Sequence, residues 1–187
     1  MNGNLPVIPA DGRHLYALRV YYEDTDAGGV VYHAGYLRFA ERARTEALRA
    51  MGIPHAEMTE RFGLMFVVRR VEVDYLRAGR LDDSLVVETT ALDVGGASVL
   101  LRQDVRRQDV AGAAGLCAAL KVRLACVRLA GDRLAGERPA GSEPAGSTTS
   151  ALDHGGNKPG RIPPRWRAAL AAMRDAGRTD WVAEGNG

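Results

Sequence analysis

YLRFAERARTEALRAMG, residues 36–52, is the stretch whose reading decides the fold. Tyr36, Ala40, Ala43, Ala47 and Met51 recur at spacings of three and four, with Leu37 and Leu48 flanking them. Glu41, Arg42, Thr45, Glu46 and Arg49 fill the opposite side. That pattern predicts an amphipathic helix of roughly four turns. Gly52 is a natural stop and Pro54 blocks continuation, leaving room for a short helical turn over 54–61. A helix with a single apolar stripe must bury it against something, and the surrounding sequence supplies a sheet.

One strand is expected before the helix and four after it. HLYALRVYYE, from His14, is rich in Tyr, Leu and Val. Downstream, LMFVVRRVEVDYLR places Met65, Val67, Val71, Val73 and Tyr75 on one parity. DSLVVETTALDV follows the turn AGRLDD, and ASVLLRQDVRRQD follows a Gly-Gly pair, with Val99, Leu101 and Val105 on one face. In GAAGLCAALKVRLACVRL, Leu116, Ala118, Leu120, Val122, Leu124 and Cys126 alternate with Lys121 and Arg123, and a bulge is expected near Gly115. The fold class is therefore α+β: an antiparallel β-sheet wrapped around one long central α-helix.

Four regions are expected along the chain: a flexible leader over 1–13, the packed domain over 14–130, an insert over 131–160, and a short C-terminal helix and tail over 161–187. The insert repeats Ala-Gly every five residues, at Ala130, Ala135, Ala140 and Ala145, a period no packed element explains. IPPRWRAALAAMRDAG then reads as a helix, with Pro164 in its first turn and Trp166, Leu170 and Met173 on one stripe. The 187 residues are 46% apolar and 26% charged, with net charge +2. This balance gives no reason to expect a nucleic-acid partner. No apolar run is long enough for a membrane span or a signal peptide, so a cytoplasmic location is expected. Cys117 and Cys126 form no disulfide framework and read as buried thiols.

The chemistry concentrates just before the helix, in YYEDTDAGGVVYHAGY, residues 21–36. Gly28 and Gly29 allow a tight path, and a helix start near Gly35 would offer unpaired N–H groups. Asp26 beside such a field can act as base or nucleophile, and His33 can orient substrate or shuttle a proton. The same residues also suit a plain turn, with Asp24, Thr25 and Asp26 shaping it. One histidine and two acids do not make a metal site at this spacing.

The motif from Tyr21 to His33, with the helix that follows, resembles the hotdog-fold acyl-CoA thioesterases of the 4-hydroxybenzoyl-CoA thioesterase type. It is most similar to the YbgC branch associated with the Tol-Pal cell-envelope system. The resemblance covers about residues 14–128 and resumes at NKPGRIPPRWRAAL. It implies a hotdog fold and hydrolysis of acyl-CoA, with acyl carrier protein as another possible thiol carrier. Asp26 would be the catalytic carboxylate and His33 its support. The oxyanion would be held at the helix N-terminus by Tyr32 and His33. Asp24, Gly28, Gly29 and Gly35 would shape the loop, Gly35 standing where relatives often carry Asn or Ser. Arg69, Arg70 and Arg77 are candidates for the phosphates of coenzyme A. No cofactor is expected, because a thioester is already activated. A homodimer or homotetramer with sites between subunits is implied as well. Two alternatives stay open: a catalytically weak acyl-thioester-binding or envelope-associated protein, and a hotdog hydratase or dehydratase.

Overall fold

The computed structural model describes residues 12–129 and 158–175, so most of the expected leader and insert, and the tail beyond 175, lie outside the described residues. The helix stripe folds as its period predicts, into α1 (His33–Ala50). Its buried face holds Tyr36, Ala40, Ala43, Ala47 and Leu48, widened by Phe39 and Arg44. Gly52 ends it with φ +68°, its N–H donating to the Arg49 carbonyl. The expected short turn becomes α2 (His55–Phe62).

Five strands follow the expected order: β1 (His14–Arg19) before α1, then β2 (Leu64–Tyr75), β3 (Ser84–Val94), β4 (Ser98–Arg107) and β5 (Leu116–Arg128). They form one sheet in the order β1-β3-β4-β5-β2, antiparallel throughout. This is the hotdog arrangement: the sheet curls around α1, and the alanines of the stripe let it approach closely. Phe39, Ala40 and Ala43 are fully buried against inner-face residues such as Leu85, Val87, Val105 and Val122.

Two local expectations shift. In β2 the pairing with β5 slips between Val68 and Arg70, leaving Arg69 as an extra residue. Leu64 and Phe66 therefore face the core before the bulge, and Val71 and Val73 after it. One inserted residue reverses the inward parity, so the expected single-parity face holds only for the second half. The irregularity expected near Gly115 lies at Cys117, between the pairs Arg106–Leu116 and Val105–Ala118. Residues Gly112–Gly115 form a 3-10 turn instead.

The core contains a polar row. His14, Thr89 and Gln103 are neighbours across β1, β3 and β4, all fully buried. The Gln103 amide donates to the Ala40 carbonyl (2.9 Å) and to Thr89 Oγ1 (3.0 Å), and its oxygen accepts from Arg44 (2.7 Å). Helix and sheet are thereby tied through one side chain whose polar atoms are all used. Among the described residues neither ring nitrogen of His14 has a hydrogen-bond partner, and burial pushes its pKa down.

The chain returns from residue 158 beside the place where it leaves. Val127 pairs with Pro159, Arg128 N–H donates to the Lys158 carbonyl (2.8 Å), and Gly160 N–H to the Cys126 carbonyl (2.9 Å). Beyond this lies α3 (Pro164–Asp175). Trp166, Leu170 and Met173 are buried as the stripe predicts, and the Trp166 ring centroid lies 6.3 Å from that of Phe66.

Candidate active site

The loop between β1 and α1 is held at both ends by backbone bonds. Val20 exchanges hydrogen bonds with the turn before β3, to Asp83 and from Asp82. Val31 N–H donates to the Gly79 carbonyl at 2.8 Å, and Val30 bridges to Arg80. The path between these anchors is set by the two aspartates, which do different work.

Asp24 is buried, with 2% of its surface exposed. One carboxylate oxygen accepts from Tyr21 N–H (3.1 Å) and the other from the Arg38 guanidinium (3.2 Å). Its backbone carbonyl accepts from Tyr32 N–H (2.9 Å). Asp24 thus clamps the loop to the first turns of α1. Asp26 is exposed at the head of a tight turn. Its carbonyl accepts from Gly29 N–H (3.0 Å), and its side chain accepts from Gly28 N–H (2.8 Å). Gly29 has φ +71°, which the turn requires and a side chain would resist.

α1 starts at His33, two residues earlier than the glycine suggested. Tyr32 is extended at φ −58°, ψ 135° and makes no side-chain cap, so the opening amides of the helix carry no side-chain acceptor from it. Gly35 sits inside the first turn and is buried. A Cβ there would lie 3.2 Å from a Val31 methyl and 3.6 Å from the Asp24 carbonyl oxygen. Its smallness lets the helix start nest on the loop.

His33 is exposed, its ring 4.3 Å from that of Tyr32 and edge-on to Tyr75 at 6.3 Å. The Tyr75 hydroxyl donates to the His33 carbonyl at 3.1 Å, bracing the first turn from β2. Tyr36 lies buried below, its hydroxyl accepting from Gly79 N–H at 2.9 Å. Burial raises the Tyr36 pKa despite that bond, so the phenol keeps its proton.

These groups line one open cleft of about 340 Å³, which brings together Asp26, Tyr32, His33, Tyr36, Tyr75 and Arg77. Among its lining residues Arg77 is the single arginine or lysine, and its guanidinium donates to the Ala113 carbonyl (2.9 Å). Arg69 and Arg70 do not line it. Arg69 is the exposed bulge residue of β2, and Arg70 pairs with Glu72 (3.0 Å) in a separate groove shared with Lys121 and Arg123. Sequence reasoning missed Arg38 and did not connect Tyr36 and Tyr75 with the cleft. Tyr36 carried one signal: it is the first stripe residue after the loop.

The family model described as "Thioesterase superfamily" matches residues 28–114, beginning just after Asp26. The chain is 45% identical over 116 residues to the "Acyl-CoA thioesterase YbgC" of Haemophilus influenzae, covering 62% of this chain and 82% of that protein. It is 50% identical over 91 residues to the "Acyl-CoA thioester hydrolase YbgC" of Escherichia coli O6:H1, covering 48% of this chain and 66% of that protein. Among solved structures, a "Probable Thioesterase" from Bartonella henselae superposes with a TM-score of 0.57 at 33% identity, over 62% of this chain and 92% of the other.

Proposed function

The chain belongs to the thioesterase superfamily, as a close relative of the YbgC acyl-CoA thioesterases, and on that premise we propose that it hydrolyses acyl-CoA thioesters in the cleft between the Asp26 turn and the start of α1. The observation that carries this reading is the convergence of Asp26, His33 and the first turn of α1 on one cleft. The thioester carbonyl lies against the opening amides of α1, which stabilise the negative charge developing on its oxygen. Asp26 either takes a proton from water or attacks the carbonyl carbon itself, giving an anhydride that water opens. In both routes the C–S bond breaks, the thiol leaves with a proton, and the acid is released. His33 orients the water or the acyl end. Arg77 meets a phosphate of coenzyme A at the cleft edge. No cofactor enters these steps.

The test is a thiol-release screen over acyl-CoA esters from short aliphatic to long-chain and aromatic, with acyl carrier protein esters as a second arm. The absence of enzyme-dependent thiol from every ester would sink the reading. We further propose that the working unit is a homodimer or homotetramer. Both sheet edges, β1 and β2, lie at the ends of the strand order, and Tyr75 and Leu76 are about half exposed beside the cleft. Activity followed over a dilution series alongside sedimentation checks this: a fully active monomer excludes it.

Replacing His33 with alanine is expected to lower kcat by about tenfold to a hundredfold, less than loss of a group that carries the proton. A change confined to KM would mean that His33 contributes only uniform binding.

We propose that residues 131–155 are dispensable for catalysis. Support comes from the pairing of Val127 with Pro159, which puts the two ends of the segment side by side. Deleting residues 131–155 should leave an active protein, because a shorter loop changes closure entropy by only about 0.6 kcal/mol per halving. Loss of thiol release or of assembly in the deletion variant would overturn this.

A further inference from the structure

A second cavity lies away from the cleft, between the C-terminal half of α1 and the sheet. Its volume is about 90 Å³, and its walls include Arg44 and Ala47 from α1, Val99 and Leu101 from β4, and Leu170 and Met173 from α3. Among the described residues, none lines both this cavity and the cleft. The helix–sheet contact between them is filled by Phe39, Ala40 and Ala43, all at 0% exposure. The cavity is therefore not the end of an acyl channel entering from Asp26.

Its chemistry is one-sided. Most of the wall is apolar, Thr89 being a neutral polar member, and among the lining residues Arg44 is the one arginine or lysine. Arg44 is 8% exposed, a nearly buried cation. One arm of its guanidinium is held by the Gln103 oxygen at 2.7 Å, and the other pairs with Glu41. The two ends of that ion pair differ: the Glu41 side chain is 57% exposed, one helical turn away at the rim. A buried arginine is costly without an anion. Here the anion is a surface side chain reaching in over the mouth, free to leave for water. His55 also lines the mouth, and burial lowers its pKa, so it stands there as a neutral imidazole.

We propose that this cavity binds a small aliphatic monocarboxylate, whose carboxylate takes the place of Glu41 on Arg44 and whose tail fills the apolar space beneath α3. Glu41 shows that the guanidinium accepts a carboxylate at this spot. A planar guanidinium suits a carboxylate better than a hydroxyl. A second charge on the ligand would have no partner among apolar walls, and an amine would meet Arg44 with like charge. Size sets the tail: an apolar cavity of ~150 Å³ takes a benzene ring, so 90 Å³ takes about three or four carbons. The inference is independent of whether the cleft hydrolyses acyl-CoA.

The experiment is calorimetric titration of the full chain with sodium butyrate, with butan-1-ol and succinate as controls. Saturable binding of butyrate alone is expected, at one site per chain. Arg44 is buried and its replacement risks the fold, so the deciding variant is Glu41→Gln on the exposed rim. Removing the competing carboxylate should tighten butyrate by roughly tenfold, the worth of one charge-assisted hydrogen bond. Ala47→Leu, which fills the cavity, should abolish binding in a protein shown to be folded by circular dichroism. The variant Asp26→Asn should bind butyrate as the parent does. Butyrate that fails to bind, or binds Glu41→Gln no more tightly, overturns the proposal. So does binding that Asp26→Asn changes in either direction, which would place butyrate in the cleft beside that carboxylate.

Discussion

Replacing Asp26 with asparagine is expected to lower kcat for acyl-CoA hydrolysis by about 10²–10⁴-fold, the range for loss of a general base, and by more if the carboxylate is a nucleophile. The folded state should survive. Asp26 is exposed, and its side chain accepts a hydrogen bond from Gly28 N–H. An asparagine carbonyl accepts the same bond, so the turn over Gly28 and Gly29 is kept while the charge and proton affinity are lost. Unchanged melting with turnover near that of the parent would remove Asp26 from the chemistry. Asp24→Asn makes the opposite case. That carboxylate is buried and holds Arg38 and Tyr21 N–H, so its replacement costs stability as well as loop position, about 1–3 kcal/mol. Thiol release and urea unfolding measured on both variants separate the two roles.

Trp166→Ala should produce the largest loss of stability, about 3–5 kcal/mol, as truncation of a fully buried large aromatic leaves a cavity. For a chain of this length each kcal/mol moves Tm by roughly 2–4 °C. Trp166→Phe should cost clearly less. The buried indole nitrogen has no hydrogen-bond partner among the described residues, so phenylalanine forfeits volume but no bond. Contact with Phe66 persists in part, since the ring centroids are 6.3 Å apart. Urea midpoints of the two variants provide the check. Alanine and parent unfolding together would show that α3 does not pack on the sheet in solution.

What was legible in the sequence follows from how far each feature depends on its neighbours. α1 was legible because its stripe repeats at the helix period over four turns, and one wrong residue does not hide it. The inward face of β2 was not, because the extra residue at Arg69 reverses parity, and a bulge leaves no mark in a two-residue alternation. Asp26 and His33, the first residue of α1, are only seven residues apart, so their sharing one cleft was readable from local order. Tyr75 and Arg77 reach the same cleft from some forty residues downstream, and only the sheet register brings them there. Arg38 went unread in the sequence, because its bond to Asp24 depends on the loop folding back over α1. The paired glycines were readable as a turn, whereas Gly35 needed the helix start to be placed before its role as a contact point appeared.

The unpartnered imidazole of His14 makes folding a proton-coupled reaction. Burial depresses its pKa in the folded state, with Glu46 offsetting part of the shift. In the unfolded chain the same ring titrates near its ordinary value of 6.5. Below that pH the unfolded ensemble takes up a proton that the native core refuses. The unfolded form is then favoured by mass action, and native stability declines as pH falls from 6.5 toward the depressed folded value. Above 6.5 both forms are neutral and the dependence on this group vanishes. His14→Gln should flatten the acid side of a plot of urea midpoint against pH, whatever it does to the plateau. A midpoint that falls as steeply in that variant as in the parent would assign the acid sensitivity to His55, whose pKa burial also lowers, or to carboxylates elsewhere. With the acid side flattened as expected, β1 senses acid through a fully buried ring, tying the stability of the protein to the proton activity around it.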